Sequence, residues 1–288
     1  LTSITPFGQT GPYKDYKTSD IVAMAMGGLM YLCGDRDRPP VRCTVEQAFI
    51  QAGAQACVGT IIAHYWRELT GEGQWVDASI QESILSTLWF AQHQWNLLQA
   101  VWTREGAFQK RAHLIRREVY SCKDGYVCWL LMTYQMGRRT RAVVDWMAEE
   151  GMASPELRQV KWEEIDINRI TQEQENKWEE EFTRFFLTQT KEKLAKEGLK
   201  RGTLLMPCSS ISELVQDEQL KSRDFWVKVK HPELGDAITY PGAPFKSNEA
   251  QWRIQRRAPL IGEHNEEIYQ ELGFSREDLV ILKQGNII

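Results

Sequence analysis

Hydrophobic and polar positions follow one another along the chain in an order that predicts an α/β protein. Residues 1–5 fit a short strand that runs into a loop punctuated by Gly and Pro. Apolar and small residues over 20–32 predict a helix, in which Gly27 and Gly28 allow a close backbone approach. Residues 46–69 carry alternating small and apolar residues, a pattern that predicts a buried helix. The first part of the chain therefore alternates between predicted strands and helices.

The middle of the chain changes character near Trp102. A strand is predicted over 74–79 and a long helix over 80–102, after which residues 103–118 are basic and irregular. Residues 119–132 contain two β-rich runs that meet at an Asp-Gly pair, and this dipeptide favours tight hairpin turns. We therefore predict a β-hairpin there.

The last part of the chain is mostly helical by pattern. Residues 138–200 are strongly charged and helical, and Thr171 followed by Gln174 fits a capping box at a helix start. The remaining predicted elements are a helix near 212–222, a strand near 225–230, and helices near 262–272 and 275–284.

Composition and charge exclude some classes of function. The chain is 42% hydrophobic and 26% charged, which is ordinary for a soluble protein. It has 35 basic and 39 acidic residues, so no basic excess indicates nucleic acid as a partner. No apolar run reaches the roughly 18 residues that a membrane helix needs. We expect neither a nucleic-acid nor a membrane partner.

Six cysteines are scattered along the chain, and no two form a CxxC pair. Their spacing fits no zinc template, so we expect no metal site. Free thiols are typical of a reducing compartment, and we expect the protein to be cytoplasmic.

The common catalytic motifs are absent from the sequence, so none of them indicates a type of reaction. The sequence contains no Walker A loop, GxGxxG fingerprint, GxSxG elbow or HExxH pair. His64 and His93 lie on apolar predicted helices, where packing is commoner than catalysis. Composition and residue spacing alone predict a soluble α/β protein and do not identify a reaction.

Eight stretches together resemble the class III CoA-transferase family, the group that includes formyl-CoA transferase, carnitine CoA-transferase and α-methylacyl-CoA racemase. They occur in the family's order and cover nearly the whole chain. These stretches are FGQTGPY (7–13), AMGGLM (25–30), PPVR (39–42), RELTGEGQWVDAS (67–79), KDGYV (123–127), HPELG (231–235), YPGAPFK (240–246) and APLIGEHNEEI (258–268).

The resemblance implies a fold and a domain order. The family has a Rossmann-like large domain, a smaller α+β domain inserted into it, and two chains that interlock as a dimer. Members run longer at the N-terminus, so we expect the N-terminal part of the large domain to be absent here. Residues 1–102 and 236–288 would then belong to the large domain, and residues 103–235 to the small domain with its linkers.

The family's reaction moves CoA from an acyl-CoA to a carboxylic acid, through an aspartate that attacks the thioester. The family's aspartate lies in a stretch shortly after PPVR, and the matching stretch here is QAFIQAG (47–53). Phe49 falls on the aspartate position, and a phenyl ring cannot attack a thioester. The resemblance therefore implies coenzyme A or an acyl-CoA as substrate. It also implies that this chain has no catalytic residue at the position that matches the family's aspartate.

Three further positions carry family roles by resemblance. Lys17 matches a lysine that contacts the CoA nucleotide, and Ser19 stands where the racemase has a histidine base. Asp20 matches an acidic position that neighbours the nucleophile. We assign Lys17, Ser19 and Asp20 to cofactor binding, and racemisation is improbable because neither a histidine nor an aspartate is in place.

Three functions stay open at this point. The chain most resembles the aspartate-lacking subunit of heteromeric members such as the benzylsuccinate CoA-transferases, whose partner would be a sister subunit that carries the aspartate. The second hypothesis is an active CoA-transferase with a relocated carboxylate, for which Glu46 is the candidate because residues three apart share a helix face. The partner could also be a second copy of this chain instead of a sister subunit. The third hypothesis is an acyl-CoA-binding or scaffold protein without catalysis.

Overall fold

The structure is a computed structural model that describes residues 1–111, 113–249 and 252–288. These residues divide into two compact units, Leu1–Cys208 and Ser209–Ile288. Both units combine helices with short paired strands, which confirms the predicted α/β class. The division of the chain at residues 102 and 235 into parts of a large and a small domain stays a prediction.

The first unit opens with a parallel pair of strands. Strand β1 (Thr2–Thr5) lies beside β2 (Val76–Ser79), and both fall within the strands predicted over 1–5 and 74–79. Parallel neighbours need a long crossover connection, and here it contains α1 (Asp20–Met26) and α2 (Ala48–Thr70). This βαβ arrangement brings the starts of α1 and α2 into contact.

Helix α1 ends earlier than the predicted helix over 20–32. Gly27 follows the last helical residue, and Gly28 has a φ of +89°, a conformation that disfavours side chains other than glycine. A Cβ atom on Gly27 would stand 2.5 Å from Cγ2 of Ile84, so only glycine lets α1 approach α3 (Ile80–Ser86) this closely. The close approach inferred from the paired glycines is therefore present.

A small core lies between α1, α2 and α3. It contains no aromatic side chain, and its small members allow the three helices to pack tightly. Its buried residues are Ala23, Met24, Ala48, Ala52, Ile80 and Ile84.

Helix α2 differs from the buried helix predicted over 46–69. It is buried only at Ala48, Ala52 and Ala56, which lie four residues apart and form one narrow stripe. The other faces are exposed, including the side chains of Ile61 and Trp66. Because apolar residues are spread around the helix, the sequence does not reveal which face its neighbours cover.

The long helix predicted over 80–102 is two helices, α3 and α4 (Trp89–Leu98). The hydroxyl groups of Ser83, Ser86 and Thr87 each donate to a backbone carbonyl three or four residues earlier. Such bonds compete with the helical backbone pattern, so a helix end at this place has a local cause.

The basic segment after Trp102 contains strands that the pattern did not reveal. Strands β3 (Phe108–Arg111) and β4 (Leu114–Arg117) pair in antiparallel fashion. The predicted hairpin follows as β5 (Val119–Cys122) and β6 (Gly125–Trp129). A third strand, β7 (Leu205–Pro207), extends that sheet from a distant part of the chain.

Four helices cover this three-stranded sheet and supply most of its core. The capping box predicted at Thr171 and Gln174 is present at the start of α7. The helices are α5 (Gly137–Glu149), α6 (Pro155–Gln159), α7 (Gln172–Thr188) and α8 (Lys191–Lys200). The largest aromatic members of the core are Tyr120, Trp129, Trp146, Trp162, Phe182, Phe185 and Phe186.

An ion pair is buried beside this aromatic core. Nε of Arg116 lies 2.7 Å from Oε1 of Glu175, and the two side chains are 9% and 0% exposed. Burial raises the pKa of Glu175, and the guanidinium of Arg116 opposes that rise. One helical turn later Glu179 accepts a hydrogen bond from the backbone amide of Arg117 at 2.7 Å. These contacts join α7 to β4.

The second unit contains a hairpin with helices before and after it. Strands β8 (Trp226–His231) and β9 (Asp236–Pro241) are antiparallel. The helix predicted near 212–222 is split, because Asp217 has an extended backbone and caps the second half. The helices of this unit are α9 (Ile211–Gln216), α10 (Glu218–Ser222), α11 (Asn265–Glu271) and α12 (Arg276–Gln284).

Candidate active site

The carboxylate of Asp20 lies at the N-terminus of α2. Its Oδ1 accepts a hydrogen bond from the amide of Ala48 at 2.7 Å and another from the amide of Phe49 at 3.3 Å. Gln47, the residue before the helix, makes no capping bond with its own side chain. Asp20 therefore takes the place of a local cap, from a position 28 residues earlier in the chain.

Electrostatics favours this arrangement. The first amides of a helix have no partner inside the helix, and the helix dipole gives this end a partial positive charge. Asp20 is buried, so its carboxylate meets those amides in a setting where water screens little of the attraction. One carboxylate thus fixes the relative positions of two helix starts.

Phe49 is the second residue of α2 and adjoins Asp20 through its own backbone amide. Its side chain is 42% exposed, so the ring is only partly covered by the rest of the chain. Asp20 is therefore in contact with the residue that the resemblance aligns with the family's aspartate. The phenyl side chain of Phe49 has no group that could form a bond to an acyl carbon.

Glu46 lies outside the helix, two residues before its first residue, Ala48. The spacing of three along a helix face, which suggested that Glu46 could replace the aspartate, does not apply to this geometry. Its side chain is exposed and makes no hydrogen bond or ion pair with the described residues. Glu46 as a substitute nucleophile stays a prediction.

Ser19 and Lys17 lie just before Asp20, in the loop that leads into α1. Ser19 occupies the position before the helix, yet its side chain makes no capping bond. Lys17 is exposed and forms no ion pair with the described residues. The structure thus brings Asp20 into contact with Phe49, while Lys17 and Ser19 precede Asp20 along the chain.

The loop that carries FGQTGPY is fixed to the paired strands. The amide of Gln9 donates to Oδ2 of Asp77 at 2.8 Å. Tyr13 and Tyr16 stack with their ring centroids 4.9 Å apart, and Phe7 meets both rings edge-on. The segment that precedes Lys17 and Ser19 is therefore ordered by its own contacts.

A cavity of about 900 Å³ lies in the same unit and was missed by the sequence analysis. One wall is the loop that follows α1, with Leu32, Cys33 and Arg36. The other wall runs from α4 into β3, where Phe90 and Phe108 contribute aromatic rings. The sequence showed only that residues 103–118 are basic and irregular, and periodicity could not show that two distant loops converge.

Cys33, in the wall of this cavity, interacts with Cys43. Burial raises the pKa of the Cys33 thiol, and the nearby Cys43 thiol raises it further. All six cysteines of the chain are free. No cluster of three or more His, Cys, Asp or Glu suited to a metal ion occurs among the described residues. None of the helices in the described ranges combines the length and the apolar character that crossing a bilayer requires.

Comparison with protein families and curated proteins gives consistent matches. A family model described as CoA-transferase family III matches residues 1–265. The chain is 34% identical to the succinyl-CoA:(R)-benzylsuccinate CoA-transferase subunit BbsE of Thauera aromatica, over 95% of this chain and 65% of that protein. It is 28% identical to formyl-CoA:oxalate CoA-transferase of Streptomyces coelicolor, over 99% of this chain and 70% of that protein. The chain thus spans 65% and 70% of the lengths of these two relatives.

Solved structures give the same fold. A CAIB/BAIF family protein from Brucella suis superposes with a TM-score of 0.74 at 22% identity, over 94% of this chain and 67% of that chain. The protein Rv3272 from Mycobacterium tuberculosis superposes with a TM-score of 0.70 at 16% identity, over 92% of this chain and 67% of that chain. At these identities the likeness concerns the fold alone.

Proposed function

The chain belongs to the CoA-transferase family III, and from this premise we propose that it is a subunit that supports CoA transfer without supplying the nucleophile. The transfer would run between an acyl-CoA and a carboxylic acid, with coenzyme A as the group exchanged. The observation that most directly supports this proposal is that Phe49 occupies the second position of α2, beside the buried carboxylate of Asp20.

Phe49 removes the step that an aspartate would perform. Covalent catalysis of acyl transfer needs a lone pair that attacks the thioester carbon and a leaving CoA thiolate. A phenyl ring offers no such lone pair. The neighbouring Asp20 has its Oδ1 engaged by two amides of α2, so its role here is to hold the start of the helix.

Lys17 and Ser19 are the proposed contacts to CoA in this chain. Lys17 presents an exposed ammonium group that forms no ion pair with the described residues, and an ammonium group meets a phosphate as a compact point charge. Ser19 has a hydroxyl group that no helix cap uses. They lie on the short segment that leads to Asp20, the first residue of α1.

A second chain would supply the aspartate. The relative in Thauera aromatica is named as a subunit, and the L-malate CoA-transferase of Chloroflexus aurantiacus is named with alpha and beta subunits. These names support a sister subunit as the partner of this chain. Pairing with a second copy of itself is the alternative, and an interlocked dimer would suit either case.

Glu46 stays the alternative nucleophile within this chain. Its exposure argues against that role, because a mixed anhydride open to water would hydrolyse before it transferred CoA. A protein that binds acyl-CoA or acts as a scaffold, without catalysis, is the remaining alternative.

Covalent trapping separates these functions. The chain is incubated with a panel of acyl-CoAs, alone and with a co-purified sister chain, and then treated with hydroxylamine or borohydride. Peptide mass spectrometry locates any modified carboxylate, and Glu46→Gln serves as the matched variant. We expect an adduct on the sister chain and none on this one. An adduct at Glu46 that disappears in Glu46→Gln would overturn the proposal, and so would acyl-CoA binding without an adduct on either chain.

A further inference from the structure

The cavity of about 900 Å³ is bounded by two loops that hold each other in place. Arg104 donates from Nε to the carbonyl oxygen of Arg38 at 2.7 Å, and its guanidinium lies over the ring of Tyr31. Gly106 has a φ of +59°, and a Cβ atom there would collide with the side chain of Asp35. The cavity therefore does not depend on a ligand to bring its walls together.

Three aromatic rings line the cavity. The rings of Phe90 and Trp102 meet edge to face with centroids 4.9 Å apart, and Phe108 lines the same space. Leu32 and Leu98 add aliphatic surface. Rings of this kind prefer another aromatic ring in offset or edge-on contact, beyond what burial alone contributes.

Cations lie on both walls of the cavity, Arg36 on the loop that follows α1 and Lys110 on the wall that carries the rings. Arg36 and Lys110 line the cavity and form no ion pair with any described residue. Arg111 also lines it and is 3.7 Å from Glu118. The one acidic side chain of the lining, Glu105, accepts a hydrogen bond from Thr103. The cavity therefore offers unpaired positive charge beside an aromatic surface.

We propose that this chain, rather than the aspartate-bearing partner, binds the aromatic ring of a carboxylic acid in this cavity. The carboxylate would face Arg36 and Lys110, and the ring would pack against Phe90, Trp102 and Phe108. The volume agrees, because pockets for small organic ligands span roughly 300–1,000 Å³ and a two-carbon acid would fill little of it. This inference rests on the proposed function, since it assigns the acid-binding part of that transfer to this chain.

Binding of free acids to the whole chain tests the assignment without any CoA chemistry. Isothermal titration calorimetry would compare 3-phenylpropanoate with succinate, which has charge without a ring, and with 3-phenylpropan-1-ol, which has a ring without charge. We expect 3-phenylpropanoate to bind at least about tenfold more tightly than either control, because each control lacks one of the two contacts. Equal affinities for the three compounds would overturn the inference.

Paired variants locate the site. Arg36→Gln/Lys110→Gln removes both unpaired cations, and Lys123→Gln/Lys196→Gln removes two exposed lysines that do not line the cavity. We expect the first pair to weaken 3-phenylpropanoate binding about tenfold or more and the second to leave it unchanged. An equal loss in both pairs, or no loss in the first, would overturn the inference.

The outcomes separate this inference from the proposed function. If 3-phenylpropanoate does not bind but an adduct is still found on the sister chain, the cavity assignment is wrong. The proposed role of this chain as a supporting subunit would then still stand. Ring binding that depends on Arg36 and Lys110, with an adduct at Glu46, would support the cavity and remove the non-catalytic role.

Discussion

The backbone amide of Phe49 donates a hydrogen bond to Oδ1 of Asp20 at 3.3 Å. Asp20 therefore holds the residue that the resemblance aligns with the family's aspartate, although the side chain of that residue is a phenyl ring. A backbone contact of this kind does not depend on which side chain stands at position 49. The contact between the starts of α1 and α2 would therefore be kept with another side chain at position 49.

Restoring the aspartate tests how much of that framework remains. Phe49→Asp is expected to fold, because the ring is partly exposed and an acidic residue suits the first turn of a helix. We expect a hydroxylamine-sensitive acyl adduct at position 49 when an acyl-CoA is added with the sister chain. Intact-mass and peptide mass spectrometry would detect it.

Phe49→Asn is the matched control for that variant. It has nearly the same shape and hydrogen-bonding capacity but no nucleophilic carboxylate, so no adduct should form. An equal signal in both variants would mean that the modified group lies elsewhere in the chain.

Asp20 should matter for stability through the start of α2. Asp20→Ala leaves the amides of Ala48 and Phe49 without their acceptor, and losing a helix cap costs about 0.5–2 kcal/mol. The site is buried, so we expect the upper part of that range in urea unfolding. Asp20→Asn keeps an acceptor oxygen and should recover most of the loss. An Asp20→Asn variant as unstable as Asp20→Ala would contradict the capping role.

The buried pair of Arg116 and Glu175 should show strong coupling. Arg116→Met would leave the carboxylate of Glu175 buried without its partner, which costs about 3–5 kcal/mol in such sites. Arg116→Met/Glu175→Leu removes both charges and should regain most of that stability. Denaturant unfolding of the two single variants and the double variant measures the coupling, and additive losses would show that the pair does not interact.

Glu163 offers a direct measurement of a shifted pKa. Hydrogen bonds from Arg141, at 2.9 and 2.6 Å, lower the pKa of this carboxyl to about 2. The carboxylate therefore stabilises the folded chain above its ordinary pKa of about 4.3, and this contribution is lost as the pH falls towards 2. The side chain is 41% exposed, so solvent screening keeps the energetic effect small.

Titration by nuclear magnetic resonance would follow Glu163 in the parent chain and in Arg141→Gln. We expect the variant to move the pKa of Glu163 back towards its ordinary value, because the first cause of the shift is removed. Lys161→Gln changes a nearby exposed cation that pairs with Glu164 instead and should leave the titration of Glu163 unchanged.

The sequence predicted those parts of the fold that depend on local rules. The capping box at Thr171 follows from residues three apart, and the hairpin after Val119 follows from its turn dipeptide. The paired glycines predicted a close backbone approach at Gly27. The sequence did not identify Ile84 as the residue approached, because Ile84 lies on another helix. Helix α2 was predicted as buried because its composition is apolar, and composition does not specify which of its faces meet other elements.

Only part of the candidate site was predicted from the sequence, because contacts between distant segments leave no local pattern. Family motifs identified Phe49 and Asp20 as neighbours, and the structure places them in contact. The cavity beside Trp102 depends on a contact between Arg104 and Arg38, which are 66 residues apart. Contacts of this range leave no periodic pattern in a sequence.

The uneven distribution of tryptophan between the two cores of the first unit has a spectroscopic consequence. The core under the three-stranded sheet contains Trp129, Trp146 and Trp162, whereas the core between α1, α2 and α3 contains no aromatic residue. Tryptophan emission shifts to longer wavelength when a buried indole meets water, and Trp66 of α2 is already half exposed. A fluorescence melting curve would therefore report chiefly on the aromatic core. Amide hydrogen exchange at Ala48 and Phe49 would report on the other core, which holds the candidate site.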